Sequence, residues 1–219
     1  MNTKKKYILI FLTILLTSCS ELPVIKKFYE VKYSVSENFK KRPPKVVAIL
    51  PFENLTKNPD AALVVRRSFY GQFAPKSFID MEMSKIDSVL EKNHIKIASD
   101  LRKYEPREIG KMLHADALIY GRVTYYKKVW LLFYSYRTEG LSSEMIDAKT
   151  GETLWMADHK VTGYGGDVPG TTFTNPFGII SSLTIGPVKA LWDYFFKDIE
   201  FLRIADDLGR EMGKTIPEP

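Results

Sequence analysis

Three rhythms of apolar and polar residues run along the chain. Val46-Val47-Ala48-Ile49-Leu50 is a short unbroken apolar run closed by Pro51. A run of that length without alternation predicts a strand covered on both faces, and therefore a central one. Ala62, Val65, Phe69 and Phe73 then recur at helical spacing, which predicts an amphipathic helix over 60–73. Asn58-Pro59-Asp60 reads as its start, with Asn58 as cap, proline at the first position and an acid in the first turn. Ser77 to Met81 reads as a second strand. A second helix follows, capped by Ser84, with Ile86, Val89 and Leu90 on one face and Asn93-His94 at its end. After a polar connection over 95–104, Glu105-Pro106-Arg107-Glu108 opens a third helix carried by Ile109, Met112 and Leu113. Ala117 to Val123 is the next strand and can reach Tyr126. Strand-helix-strand-helix-strand points to an α/β layer.

From there the period is that of strands. Val129 to Tyr136 is apolar and aromatic, and Leu141 to Ile146 is half alternating. Asp147-Ala148-Lys149-Thr150-Gly151 predicts a hairpin loop with glycine in a left-handed turn. Thr153 to Met156 returns and extends to Lys160, which makes an antiparallel meander. Gly163, Gly165, Gly166, Pro169, Gly170 and Pro176 mark an irregular, partly apolar insert over about 163–186. A long helix closes the chain from Pro187, with a stripe of Leu191, Phe195, Ile199, Leu202, Ala205, Leu208 and Met212. The expected fold is α/β (α+β): a mixed sheet with an antiparallel meander, helices packed on it and a long C-terminal helix.

The amino-terminal pattern has another meaning. Lys4, Lys5 and Lys6 precede an apolar run from Tyr7 to Leu16 that is too short to span a bilayer as a helix, which needs about 20 residues. Small residues follow at Thr17-Ser18, before Cys19, the only cysteine. A basic start, a short apolar core and a small-residue cut site make a secretory signal peptide. Leu16-Thr17-Ser18-Cys19 resembles the bacterial lipobox, which implies diacylation of the Cys19 thiol and cleavage just before it. Residues 1–18 are then signal, 19–44 a lipidated tether ending in Arg42-Pro43-Pro44, and 45–219 a single periplasmic domain. Ser20 after the cysteine leans, by the same resemblance, to the outer membrane. With no second cysteine, no intramolecular disulfide can form.

Charge narrows the partners. The formal net charge is +6, but residues 45–219 carry 23 basic and 23 acidic side chains. The excess sits in the signal and in residues 20–44, where six basic side chains face three acidic ones and can hold the tether near anionic headgroups. A neutral domain has no nucleic-acid footprint.

Three blocks then carry a family resemblance. They are Val47-Ala48-Ile49-Leu50-Pro51-Phe52-Glu53-Asn54, Ala115-Asp116-Ala117-Leu118-Ile119-Tyr120-Gly121-Arg122-Val123 and Ile146-Asp147-Ala148-Lys149-Thr150-Gly151-Glu152-Thr153-Leu154-Trp155. In this order after a lipobox they resemble a family of bacterial lipoproteins with a TolB amino-terminal-like domain, similar to the periplasmic part of the curli secretion lipoprotein. The resemblance covers residues 46 to about 160. It implies an envelope accessory role beside a curli-secretion-type partner, and supplies no catalytic residues.

The chemistry-bearing residues form no strong constellation. Gly209-Arg210-Glu211-Met212-Gly213-Lys214-Thr215 is one residue short of a phosphate-binding loop, and reads as a fraying helix end. Gly163-Tyr164-Gly165-Gly166 lacks the helix that a dinucleotide site needs. His94, His114 and His159 show no metal-ligand spacing, so no metal or cofactor is expected. Asp158-His159 can orient a base, but no Gly-x-Ser-x-Gly nucleophile accompanies it. Both alternations of Val129–Tyr136 are apolar, so something must cover the second face. The 173–185 segment and the terminal helix are expected to cover most of it, leaving Trp130, Tyr134 and Tyr136 at a rim as the candidate partner surface. The leading reading is a non-enzymatic lipoprotein, anchored through Cys19 to the periplasmic side of the outer membrane, that serves as adaptor in an assembly or secretion complex. One alternative is a homo-oligomer that inserts residues 171–185 into the outer membrane. Another is a cell-wall or lipid enzyme.

Overall fold

The structure, a computed structural model, describes residues 26–28, 30–130, 135–165 and 199–219. The chain divides into two compact units: Met1–Ile25, Val129–Tyr136 and Tyr164–Lys197 form one, and Lys26–Lys128, Arg137–Gly163 and Asp198–Pro219 the other. Most of the first lies outside the described residues, as do Cys19, Tyr134, residues 166–186 and the start of the final helix. The second unit carries the fold.

Eight strands are found among the described residues: β1 (Lys26–Phe28), β2 (Lys32–Val35), β3 (Val46–Ile49), β4 (Glu53–Asn54), β5 (Ile79–Asp80), β6 (Ala117–Trp130), β7 (Ser135–Asp147) and β8 (Thr153–Gly165). The helices are α1 (Glu37–Lys41), α2 (Ala61–Phe73), α3 (Met83–Lys92), α4 (Pro106–Leu113) and α5 (Ile199–Thr215), with a 3-10 turn at Ala98–Lys103. The sheet order is β1-β8-β7-β6-β3-β5, with β2 also on β8 and β4 also on β6. β3 is parallel to both β5 and β6. Ser143 Oγ donates to Tyr120 O, and Gly140 lies against Thr124 and Tyr125. Residue numbers therefore fall on β7 as they rise on β6, so the two run antiparallel, as the meander pattern predicts.

The crossovers decide where the helices go. β3 leads through α2 to β5 on one side of it, and β5 leads through α3 and α4 to β6 on the other. Right-handed crossovers in opposite directions place their helices on opposite faces. The core obeys this. Val47 and Ile49 of β3 join α2 (Ala61, Val65, Phe69, Phe73) and α5 (Ala205, Leu208, Met212) in one cluster. Ala48 and Leu50 join α3 (Ile86, Leu90) and α4 (Ile109, Leu113) in the other. The unbroken apolar run at 46–50 thus serves two cores, one per face. Buried Arg66 of α2 ties the layers: Nη2 donates to Ile49 O at 2.9 Å, and Nη1 to Asp87 of α3 at 2.7 Å.

Several expectations are corrected. The described part of the stretch read as a tether, from Lys26 on, is folded: β1 and β2 pair antiparallel with β8, and α1 buries Phe39. β2 sits at a sheet edge with Lys32, Tyr33 and Ser34 exposed, so it shows no apolar face to find. Helix α2 starts at Ala61, not at a capping Asn58; Asn58 Oδ1 instead accepts from Asp60 N in a turn. Ser84 lies inside α3, behind Glu82 at the cap, and its hydroxyl donates to Glu82. Val129–Tyr136 is not one strand: Val129-Trp130 end β6 and Ser135-Tyr136 begin β7. Gly163 to Gly165 belong to β8, not to an irregular insert. Leu202 is exposed, and Ile204 takes its place on the buried face of α5.

Other expectations stand as read. The third helix has a capping box between Glu105 and Glu108, and the hairpin turns at Gly151 with φ of 74°.

Candidate functional site

Among the described residues, one face of the sheet is only half covered. α3, α4 and the 3-10 turn cover it over β3 and the start of β6. Beyond them no described element covers the same face of β6, β7, β8 and β2, which forms a cleft of about 630 Å³. It opens beside the carboxyl end of β3, where Pro51 and Glu53 leave the strand. In sheets with parallel strands, that end next to a change in crossover direction is where a crevice forms.

The floor follows from strand alternation. Residues two apart share a face, so Tyr120 and Arg122 of β6, Ser142 and Glu144 of β7, and Met156 and Asp158 of β8 all point to the cleft side. Lys32 and Ser34 of β2 pair with Asp158 and Met156 and extend the floor. The far wall is Leu101, Arg102, Tyr104 and Pro106.

Charges of both signs face the opening. Arg102 donates to the Glu53 carboxylate and neutralises it. Among the described residues, none pairs with Lys32, Arg122, Glu144 or Asp158. Burial and the nearby Glu144 carboxylate push the Tyr120 hydroxyl up to about 12, so it keeps its proton and can donate. The rim carries a large apolar group in water, Met156 at 48% exposure.

Asp158 and His159 cannot act as a pair. They are consecutive in β8 and point to opposite faces. Asp158 lines the cleft, whereas His159 is buried on the far side, where burial lowers its affinity for a proton. His94 and His114 sit at helix ends with positive φ of 63° and 53°. Among the described residues no cluster of His, Cys, Asp or Glu could hold a metal ion, and no helix is long and apolar enough to cross a membrane. The glycines of 209–215 lie within α5, which continues to Thr215; they are a helix contact and not a phosphate loop.

The proposed partner residues are not gathered on the described surface. Tyr136 is half-buried near the start of β7, the side chain of Trp130 lies outside the described residues, and Tyr134 lies outside them altogether. Sequence reasoning missed Arg122 and Glu144, and considered Asp158 only as a partner of His159. The available signal was polar residues at alternate positions of three strands otherwise read as apolar.

The three sequence blocks converge in space. Asp116 N donates to Val46 O and Ala148 N to Asp116 O, each at 2.8 Å, so the first strand, the β6 entry and the hairpin are stitched at one point. Asp116 Oδ2 also accepts from Val46 N at 3.1 Å. Gly121 makes room for Phe52: a Cβ there would meet the ring at 2.5 Å. Pro51, Glu53, Tyr120, Arg122 and Ile146 of the same blocks line the cleft.

The crystal structure of lipoprotein GNA1162 from Neisseria meningitidis is similar at 16% identity with a TM-score of 0.51, over 67% of this chain and 99% of that one. The PelC dodecamer from Paraburkholderia phytofirmans matches at 11% identity and a TM-score of 0.42, over 86% and 98% of the two chains. TolB from Acinetobacter baumannii matches at 10% identity and a TM-score of 0.28, over 72% and 31%. No curated protein matches by sequence. The model of the family described as "Putative lipoprotein GNA1162-like" matches residues 33–175, well over half the chain, and this protein belongs to that family.

Proposed function

We propose that this chain is a non-enzymatic lipoprotein, held by an acylated Cys19 at the periplasmic face of the outer membrane, that docks another envelope protein in an assembly or secretion complex. The observation that carries the reading is the open half of the sheet face. Among the described residues, its cleft presents unpaired charges of both signs beside exposed Met156, which is a recognition surface. Ser143, next to the floor's Ser142 on β7, already donates to Tyr120 O at 2.7 Å, and His159 faces away. Family membership and the lipobox support the anchor. The lipid acts by raising the local concentration of the domain beside its partner. Trp130, Tyr134 and Tyr136 are a second contact in this reading.

The test is photocrosslinking in intact cells from probes at Ser34, Met156 and Tyr136, with mass spectrometry of the adducts. One envelope protein captured from the two cleft positions is the expected result. Adducts only with further copies of this chain point to a homo-oligomer, and an absence of adducts from folded, membrane-bound protein removes the docking reading. Cys19→Ala is expected to abolish lipidation and release the chain from membranes. Retention in the outer-membrane fraction without lipid would refute the anchor.

A further inference from the structure

We infer that the cleft holds a polyproline-type segment of the partner protein, bearing an acidic side chain and, three residues on, a basic one. This rests on the reading of the cleft as the docking surface.

The charges on the floor set the chemistry. Arg122 on β6 and Asp158 on β8 are both exposed, and Ser142 of β7 lies between them. Lys32 lies beyond Asp158, its register partner on β2. The sign therefore alternates across the sheet: positive, negative, positive. Glu144 adds a second carboxylate to the same floor. A ligand of one sign would meet a like charge wherever it sat. Such juxtaposition is a means of rejecting wrong partners. A segment with both signs, in the matching spacing, satisfies the floor without leaving a carboxylate or guanidinium unpaired.

The spacing chooses the backbone. Neighbouring strands lie about 4.8 Å apart, so Arg122 and Asp158, two strands apart, are separated by roughly 10 Å. A β-strand ligand places residues i and i+3 on opposite sides, and residues i and i+2 only about 7 Å apart. A polyproline helix has three residues per turn and a rise of about 3.1 Å, which puts i and i+3 on one side roughly 9 Å apart. That matches the floor.

The walls agree with it. Tyr104 and Tyr120 line the cleft together with Pro51 and Pro106. Aromatic grooves are the usual seat of polyproline segments, which are already extended and lose little entropy on docking. Their backbone carbonyls have no internal partner. The Tyr120 hydroxyl, kept protonated, can donate to one. A volume of about 630 Å³ suits a short segment rather than a whole domain edge.

The experiment uses the full-length chain in detergent micelles and four fluorescent proline-rich nonapeptides. Two carry Glu and Lys three residues apart in either order, one carries two Glu, and one carries two Lys. Anisotropy is expected to show a mixed-charge peptide binding at least tenfold more tightly than either single-sign peptide. Arg122→Glu should erase that preference. Arg122→Glu combined with Asp158→Lys keeps one charge of each sign and should restore it, which separates charge reading from loss of fold. The proposal is overturned if the two-Glu peptide or inorganic phosphate competes equally well, or if Arg122→Glu leaves mixed-charge binding unchanged. If cellular crosslinks from Ser34 and Met156 still capture an envelope protein in that case, the docking surface stands and only its charge code falls. If those crosslinks yield copies of this chain, or nothing, both fall.

Discussion

The helix-covered face of the sheet has two parts built on different principles. Under α2 the filling is aromatic and dry. Phe69 stands against Phe52, Phe73 and Trp155, with ring centroids 5.8 to 6.5 Å apart. Under α5 the same face carries titratable groups. Glu139 of β7 is fully buried, and among the described residues neither carboxylate oxygen has a hydrogen-bond partner; His159 of β8 is 3% exposed with both ring nitrogens likewise unpartnered there. α5 crosses them with Asp206 near Glu139 and Glu211 near His159. Its carboxyl end is fixed where Trp155 Nε1 donates to Thr215 Oγ1 at 3.0 Å. Apolar burial stabilises one half, while the other carries a desolvation cost that the first must offset.

The largest expected effect breaks the dry half. Phe69→Ala removes a fully buried ring at the junction of three others and leaves a cavity that cannot collapse around rigid aromatics. A loss of about 3–5 kcal/mol is expected in urea denaturation of the detergent-solubilised chain. A loss below about 1 kcal/mol would mean that the aromatic cluster is not what holds α2 to the sheet.

The polar half should respond to pH in two opposite directions. Burial, reinforced by Asp206, raises the Glu139 carboxyl well above its ordinary value of 4.5. The folded state then keeps a proton that the unfolded state releases, so stability falls as pH rises from about 4.5 through the folded value. Burial lowers the His159 imidazole below 6.5, and the nearby Glu211 and Asp158 carboxylates only partly oppose this. Its contribution is complete above about 6.5 and is lost as pH falls towards the folded value. Glu139→Gln is therefore expected to stabilise the protein at pH 7 and to flatten the decline on the alkaline side. His159→Gln should flatten the decline on the acid side and leave the alkaline side unchanged. Thermal unfolding of the three proteins between pH 4.5 and 8 reads both slopes. Identical profiles would mean that these groups ionise alike in the folded and unfolded states.

The dry half was legible in the sequence and the polar half was not, for a physical reason. Val47, Ile49, Val65, Phe69 and Phe73 announce themselves by period, because apolar burial writes a regular pattern. Glu139 and His159 break the pattern at the positions they occupy, so they read as solvent-facing. The same logic hid other features. Val129 to Tyr136 is apolar on both alternations, which concealed that its ends belong to two strands. β2 exposes most of its side chains, so a paired edge strand looked like a linker. In β6, Val123 is buried, Tyr125 is exposed with Lys160 over its ring, and Tyr126 packs on the core. The alternation slips by one there, as at a bulge, and no residue type marks the slip. The cleft was invisible because its lining comes from separate segments, each unremarkable alone. The helices with firm local signals, the capping box of α4 above all, needed no tertiary context.

The smallest effects lie at the contact between the two halves, where α2 and α5 touch. Gly209 and Gly213 of α5 are one turn apart on the side that meets α2. A Cβ on Gly209 would lie 3.1 Å from both Phe69 Cα and Ser68 O, and 3.2 Å from Phe69 N. All three are backbone atoms, which cannot swing aside as a side chain would. The nearest atoms to a Cβ on Gly213 are Gln72 O at 3.7 Å and Gln72 Cβ at 3.8 Å, ordinary contact distances. In both places alanine favours the helix by about 1 kcal/mol over glycine. At Gly213 nothing opposes that gain, so Gly213→Ala is expected to stabilise by up to about 1 kcal/mol. At Gly209 the helices must part, and overpacking of that kind costs about 1–3 kcal/mol. Gly209→Ala is therefore expected to destabilise, with an opposite sign for the same chemical change four residues away. Urea midpoints for the two variants give the answer directly. Equal shifts of the same sign would show that α5 does not approach α2 this closely, and the division between a dry half under one helix and a polar half under the other would have to be redrawn.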